Sequence, residues 1–228
     1  MKKVIILLIP FIVFTSCATF KMSDLKPYPI NKTLLPALEP RVDVPSIESA
    51  FTLGQTIGAS SGYASKLGNN SVLGTAITSS QISKDPRVQD AITIFDRDVK
   101  DNITNPYGDR KGYILGKIAA GENSSGIGWA FMSGFTLGVW NLLGMPISHW
   151  VTTLDVEVEI YNLSEKLIRR YNAQCRHETW NALYYGYGLN MVAAKRKAAL
   201  EAFKCSMNKI KEQIESDAND IIKELNNQ

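Results

Sequence analysis

The stretch that decides the fold is residues 154–160, with the sequence LDVEVEI. Its aliphatic residues alternate with carboxylates, which is the period of a β-strand with one apolar and one solvated face. A second strand-like run, residues 167–175, follows a turn at residues 163–164. The two runs therefore predict an antiparallel hairpin.

Facing pairs define the predicted register of this hairpin. They are Ile160 with Leu167, Val156 with Tyr171 and, on the solvated face, Glu157 with Arg170. In this register Arg169 points to the apolar face, which requires either that its stem snorkels or that the turn is longer. Because Asp155, Glu157 and Glu159 alternate with core positions, we interpret them as the solvated side of a strand rather than as paired catalytic carboxylates.

Two amphipathic helices are predicted around the hairpin. Residues 85–86 are Asp-Pro, a typical helix start, and residues 105–108, Asn-Pro-Tyr-Gly, end that helix. The second helix covers residues 190–225 and either packs on a sheet or makes a coiled-coil-like contact. The apolar stripes are Val88, Ile92, Phe95, Val99 and Ile103 in the first helix, and Phe203, Met207, Ile210, Ile214, Ala218, Ile221 and Leu225 in the second.

The remaining elements are less regular. Val42, Val44 and Ile47 predict the start of a first strand, residues 111–119 predict another, and the Gly- and Ser-rich residues 54–83 predict a loop. Together the elements predict an α+β fold: an antiparallel or mixed sheet of roughly three to five strands covered by helices, with a long C-terminal helix. Lys211 lies outside the second stripe, so Ile214→Ala is expected to lower stability far more than Lys211→Ala.

The first residues of the chain have the pattern of an export signal. Lys2 and Lys3 precede an uncharged apolar run, and small residues at 15–16 precede Cys17. Residues 14–17, Phe-Thr-Ser-Cys, resemble the lipobox of bacterial lipoproteins, which usually has Leu where this chain has Phe14. The resemblance implies diacylglycerol on the Cys17 sulfur, cleavage before Cys17 and acylation of its amine.

The lipobox resemblance also implies where the protein is found. In that family an Asp after the cysteine marks retention in the inner membrane, so Ala18 favours the outer membrane. The expected organisation is a signal peptide at 1–16, a lipidated cysteine with a Pro-rich tether at 17–45, and one α+β domain at 46–228. Within the tether, we interpret residues 18–40 as a spacer that lifts the domain off the bilayer.

Residues 127–147 form the most unusual stretch, IGWAFMSGFTLGVWNLLGMPI, because no Asp, Glu, Lys or Arg lies between Glu122 and Asp155. One interpretation is a transmembrane helix about 31 Å long, with tryptophans near its ends. Another is a buried strand pair. We favour a third, an apolar excursion within residues 126–150 that contacts a membrane or another subunit, because exposed apolar patches usually mark contact surfaces. The predicted contact residues are Trp129, Phe131, Phe135, Leu137, Trp140 and Leu142.

Residues that would indicate catalysis or ligand binding are few. His149 and His177 are the only histidines, and neither has metal-ligand spacing to Cys, Asp or a second His. No catalytic residue, metal or cofactor is predicted, and the net charge of +3 gives no basic field for nucleic acid. Cys175 and Cys205 are the only pair that could form an internal disulfide, in an oxidising compartment.

The second half of the chain is also similar to a group of envelope lipoproteins. The hairpin at 154–175, the apolar excursion before it and the helix after it resemble lipoproteins with a small α/β domain, such as the curli-secretion channel lipoprotein and the N-terminal domain of the Tol-system propeller protein. The resemblance implies self-association or attachment to other envelope proteins, and it carries no site residues.

Three functions fit these features. The preferred one is a non-catalytic envelope scaffold or assembly component, bound to the bilayer through acylated Cys17. One alternative is a glycan-binding protein or enzyme that uses Tyr184, Tyr185 and Tyr187. Another is a transport or secretion pore component, which would need a membrane-spanning form of residues 127–147.

Overall fold

A computed structural model of the protein describes residues 20–25, 32–52, 85–183, 185–187 and 190–227. One four-stranded mixed sheet organises these residues, in the spatial order β1-β2-β3-β4. The shortest strand, β1, pairs in parallel with β2, and the other three form an antiparallel meander. The strands are β1 (Leu38–Val42), β2 (Gly112–Ser125), β3 (Ser148–Asn162) and β4 (Leu167–Asn181).

Five α-helices accompany the sheet in the described residues. They are α1 (Val44–Thr52), α2 (Pro86–Asp98), α3 (Ile127–Phe135), α4 (Val139–Leu142) and α5 (Met191–Asn226). The long helix α5 lies across β3 and β4, while α1 packs on β2 and α2 packs on α5 and β1. Their apolar sides share one core cluster with the sheet. The predicted α+β class, mixed sheet and long C-terminal helix are therefore confirmed.

The predicted helix start at residues 85–86 is confirmed. Asp85 caps α2 by accepting a 2.8 Å hydrogen bond from the backbone N–H of Arg87, and the helix continues into a π-helical turn at Val99–Ile103. All five residues of its predicted stripe are buried. Phe95 packs so closely on β2 that a Cβ at Gly116 would lie 2.6 Å from its ring, which explains the glycine in the strand.

The long helix α5 begins where the sequence predicts. The Asn190 side chain accepts a 3.0 Å hydrogen bond from the backbone N–H of Ala193 and caps the helix. Its whole predicted stripe is buried, and of the two expected arrangements the helix takes the one that covers the sheet. The expectation for Lys211 is wrong: the side chain is 1% exposed, and its Nζ lies 3.0 Å from Asp98 Oδ1 on α2.

The β3–β4 hairpin is present, but its predicted register is wrong by two residues. Four residues, 163–166, connect the strands, and the Asn162 side chain accepts a 2.8 Å hydrogen bond from Lys166 N within that turn. The Arg169 side chain, which the predicted register left unexplained, forms a 2.7 Å ion pair with Glu224 on α5. The observed pairs are Ile160 with Arg169, Val156 with Ala173, Glu157 with Asn172 and Glu159 with Arg170.

The predicted solvated face of β3 is less solvated than expected. Glu159 is only 3% exposed, because Lys117, Tyr161 and Arg170 surround its carboxylate at 3.1, 2.9 and 2.6 Å. Arg170 Nε also lies 2.8 Å from Glu157 Oε1. The predicted ion pair between these two residues therefore exists, although they do not face each other directly in the strand register. This side of the sheet therefore carries a charge network.

The N-terminal part of the domain differs from the prediction. The first strand is Leu38–Val42, and Val44 and Ile47 belong to α1. The spacer interpretation is wrong for the parts of 18–40 that the structure describes, because Phe20, Leu25 and Leu35 are buried in the core. The domain therefore includes residues assigned to the tether at 17–45. Cys17 and the predicted loop at 54–83 lie outside the described residues.

Candidate contact surface at one end of the domain

Helices α3 and α4 form a helical hairpin between β2 and β3. Its base is fixed to the sheet, since Gly126 N donates to His149 O at 2.9 Å and Ile147 N donates to Asn181 O at 2.6 Å. Within the described residues, no helix combines the length and apolarity needed to span a bilayer. Because residues 127–147 form two short helices, both the single transmembrane helix and the buried strand pair are wrong interpretations.

The turn between α3 and α4 depends on left-handed backbone at two successive residues. Leu137 has φ +50° and Gly138 has φ +78°, and Gly138 N donates to Ser133 O at 2.8 Å. Glycine adopts this conformation without strain, whereas leucine rarely does. The other end of α4 is held by the buried side chain of Asn141, whose Nδ2 donates to Met145 O at 3.3 Å.

The outer surface of this hairpin is apolar and exposed. Phe131, Phe135 and Leu137 are 75%, 89% and 92% exposed, and the predicted contact residues Trp140 and Leu142 are exposed as well. Trp129, also predicted, is half-buried at the base. Three further exposed residues of the predicted segment 127–147 complete the surface: Met132, Val139 and Leu143. We call these eight exposed residues the apolar tip.

Tryptophans surround the base of the hairpin. All four tryptophans of the chain lie in or next to it. The rings of Trp129 and Trp180 meet edge-to-face at 5.9 Å, and Trp180 stacks on His149 at 4.0 Å. Lys195 of α5 places its Nζ 4.1 Å above the ring of Trp150. We call Trp129, Trp150 and Trp180 the tryptophan collar.

Charged groups begin at this collar. His149 Nε2 lies 3.3 Å from Glu178 Oε2, and Arg176 lies 2.7 Å from the other oxygen of that carboxylate. The hydrogen bond with His149, followed by the charge of Arg176, holds the pKa of Glu178 below its usual range. Burial and the nearby charge of Arg87 lower the pKa of Lys195. The charges thus lie around the hairpin base and not on the apolar tip.

The start of the described chain packs against the same end of the domain. The ring of Phe20 meets the buried ring of Tyr187 at 6.5 Å, and the guanidinium of Arg196 lies 5.0 Å from the Phe20 ring centre. Tyr187 lies three residues before Asn190, the cap of α5, and its backbone O accepts a 2.9 Å hydrogen bond from Asn190 N. Met191 and Val192 follow this cap and are exposed. Phe20 is thus fixed beside the α5 start, near the tryptophan collar.

A disulfide joins Cys175 of β4 to Cys205 of α5, with 5.9 Å between their Cα atoms. Cys175 faces the core, and Cys205 lies on the flank of α5, beside the apolar stripe rather than in it. The bond links α5 to the strand that supports the hairpin base. Lengthwise sliding of α5 along β4 is therefore restricted.

The other candidate residues do not assemble into a site. Tyr187 is buried against Phe20, Tyr185 is exposed, and Tyr184 lies outside the described residues, so a sugar-stacking surface of all three tyrosines is not observed. His149 is stacked on Trp180, and His177 lies within β4. Among the described residues, no cluster of three His, Cys, Asp or Glu side chains could hold a metal ion.

Comparison with known proteins adds no assignment to these observations. No protein-family model matches the chain, and no curated protein is significantly similar to it. The functional interpretation therefore depends on the sequence and on the geometry of the domain.

Proposed function

We propose that this protein is an envelope lipoprotein, anchored by diacylglycerol on Cys17, that acts as a non-catalytic scaffold or assembly component. It contacts the membrane or partner subunits through residues 127–147. The Ala18 that follows the cysteine favours the outer membrane as its location.

The observation that carries this proposal is the exposed apolar tip. A large apolar side chain contributes about 1.5–3 kcal/mol when it is fully removed from water. The eight side chains of the tip leave most of this stabilisation unused within the monomer. A contiguous apolar patch of this kind is typical of a surface that is covered in the functional state.

Two groups of features support different parts of the proposal. The basic start, the apolar run and the small residues before Cys17 support export and lipidation. The hairpin supports a contact function, because its two ends are hydrogen-bonded to a rigid sheet while its apolar side chains project outward. A fixed base would present the surface to a membrane or partner in a defined orientation.

Lipidation can be tested on the full chain expressed in a bacterial host. Intact-mass analysis of the wild type should show a chain that begins at Cys17 and carries acyl groups. Cys17→Ala should remain unprocessed or leave the membrane fraction, while Thr19→Ala, which keeps the cysteine, should behave as wild type. An unmodified cysteine on the mature wild type would contradict the anchor.

The scaffold role has a separate test. Cross-linking in intact cells, followed by sizing of the detergent-extracted protein, should recover this chain with further copies of itself or with other envelope proteins. A chain that is anchored by lipid but cross-links to nothing would contradict the scaffold role while leaving the anchor intact.

A further inference from the structure

We propose that the apolar tip inserts into a lipid bilayer, as a wedge on the same leaflet that holds the acyl chains of Cys17. This inference deepens the proposed function and rests on it for the position of the acyl chains. It selects a lipid bilayer, rather than a protein partner, as the occupant of the surface.

The polar side chains of the hairpin support a lipid environment. Ser133 Oγ donates to Trp129 O at 2.8 Å, and Thr136 Oγ1 donates to Met132 O at 2.8 Å. Asn141 is likewise bonded within the hairpin. Groups that enter hydrocarbon must find their hydrogen-bond partners internally, and these three side chains do so. The hairpin thus carries apolar groups outward and satisfies its polar groups inward.

The conformation of Leu137 points the same way. Its left-handed backbone at the hairpin turn favours Gly, Asn or Asp. Asn and Asp would also be well solvated if this turn were exposed to water. Leucine occupies this position with 92% of its side chain exposed. The backbone gives leucine no advantage here, and exposure of so large an apolar side chain is unfavourable in water, so an apolar surrounding accounts for its presence.

The order of residue types from the tip to the sheet matches the order of layers in a bilayer surface. The uncharged tip comes first, the tryptophan collar follows, and Lys195, Arg176 and Glu178 lie at the collar. Tryptophan is enriched at the membrane–water interface, where its ring lies among the headgroups. Lysine and arginine beside it can contact lipid phosphates, so the collar marks the depth to which the hairpin would insert.

The position of Phe20 brings the acylated cysteine to this end of the domain. Cys17 precedes Phe20 by three residues, which span at most about 11 Å of extended chain. Phe20 is held against Tyr187 and Arg196, next to the α5 start with its exposed Met191 and Val192. Acyl chains on Cys17 and the apolar tip can therefore enter one leaflet together, with the rest of the domain outside it.

Tryptophan fluorescence of the mature lipidated protein tests the insertion. The protein is reconstituted in phosphatidylcholine vesicles whose acyl chains carry bromine. Bromine quenches the fluorescence of tryptophans that lie within the bilayer, close to the brominated chains. Residues 1–128 contain no tryptophan, so the signal comes only from the hairpin and its surroundings. Strong quenching is expected for the wild type, and Phe135→Asp with Leu137→Asp should reduce it at least two-fold.

A matched control lies at the opposite end of the sheet. Leu163 and Leu167 are exposed at the β3–β4 turn, and Leu163→Asp with Leu167→Asp should leave quenching unchanged. Equal quenching in the tip and turn variants, or no quenching in the wild type, would overturn the inference. Unquenched tryptophans together with cross-links through the hairpin would instead assign the surface to a protein partner.

Two further measurements separate this inference from the proposed function. Mass analysis of the same samples reports acylation, so an acylated but unquenched protein refutes insertion and keeps the anchor. A quenched protein without acyl groups refutes the anchor and keeps insertion. Circular dichroism melting of the tip variant should match the wild type, and unfolding would show that the segment is core and overturn the inference.

Discussion

The hairpin α3–α4 and the contact between α2 and α5 distribute apolar and charged residues in opposite ways. The hairpin exposes phenylalanine and leucine side chains, whereas the α2–α5 contact buries Lys211 and Asp98. The buried pair has its partners inside the domain: Lys211 Nζ lies 3.0 Å from Asp98 Oδ1, and Asn102 also donates to that carboxylate. Among the described residues, no other part of the domain covers the exposed side chains of the apolar tip.

This difference indicates where each region obtains its stabilisation. A buried ion pair needs both charges and additional hydrogen bonds to offset the loss of water. The α2–α5 contact meets that condition within the chain, so it contributes to the monomer. The apolar tip lacks a cover, so its stabilisation must come from outside the monomer. Substitutions in the first region should therefore change folding, and substitutions in the second should change only association.

The largest effect is expected at the buried pair. Lys211→Ala leaves the buried side chain of Asp98 without the partner that lies 3.0 Å from it, which costs about 3–5 kcal/mol of unfolding free energy. Urea denaturation of the purified protein measures this loss. Lys211→Met combined with Asp98→Leu removes both charges and should recover most of the stability. A loss below about 1 kcal/mol for the single variant, as typical of exposed pairs, would show that the pair is not buried.

A slightly smaller effect is expected in the apolar stripe of α5. Ile214 is fully buried, so Ile214→Ala should cost about 2–5 kcal/mol through lost transfer energy and a residual cavity. Asn219→Ala, on the exposed side of the same helix, is the matched control and should change little. Equal melting temperatures for the two variants would contradict the observed packing of α5.

A moderate, pH-dependent effect is expected at Glu159. Burial alone raises the pKa of its carboxyl, but hydrogen bonds from Lys117 and Tyr161 and the charge of Arg170 outweigh burial and lower it. Because the folded pKa is depressed, the stabilisation is present above the ordinary value near 4.5 and is lost as pH falls through the folded pKa. Glu159→Gln should cost roughly 1–3 kcal/mol at pH 7.

The acid limb of the same titration provides the check. Unfolding measured between neutral and acid pH should show a flatter decline in stability for Glu159→Gln than for the wild type. Asp155, on the same strand, serves as the control, because burial shifts its pKa upward, opposite to the shift of Glu159. Asp155→Asn should therefore not destabilise the protein at pH 7. Parallel pH profiles for Glu159→Gln and wild type would refute this role of Glu159.

The smallest effect on folding is expected at the apolar tip. Phe135→Asp with Leu137→Asp should change unfolding free energy by no more than about 0.5 kcal/mol, because neither side chain packs in the monomer. Denaturation in detergent-free buffer measures it. A large loss of unfolding free energy would show that the apolar tip stabilises the monomer, as the α2–α5 contact does, and would contradict the difference between the two regions.

Features with a clear period could be predicted from the sequence. The stripes of α2 and α5 repeat at helical spacing, and both are buried. The register of the β3–β4 hairpin could not be predicted. It depends on a four-residue turn and on a bulge near Ile168, and the alternation of apolar and polar residues reveals neither. The burial of Lys211 could not be predicted either, because its partner Asp98 lies on another helix, far away in the sequence.

The candidate surface was predicted in part. The absence of charge in residues 127–147 indicated a contact segment, and the exposed tip contains most of the named residues. The helical hairpin itself could not be predicted, because four glycines and a proline disfavour helix in that run. The packing of Phe20 on Tyr187 is a long-range contact that no local pattern indicates.

The parallel pairing of β1 with β2 has a consequence for the order in which the chain assembles. Strands β2 to β4 and helix α5 are consecutive, so they can collapse as one local unit. Leu38, in contrast, pairs with Gly112 across the whole intervening α1–α2 segment, and such distant contacts form slowly. If Cys17 is acylated early, the segment that must complete the sheet is tethered at the bilayer while the rest folds. Membrane attachment and completion of the sheet then act on the same short stretch of chain.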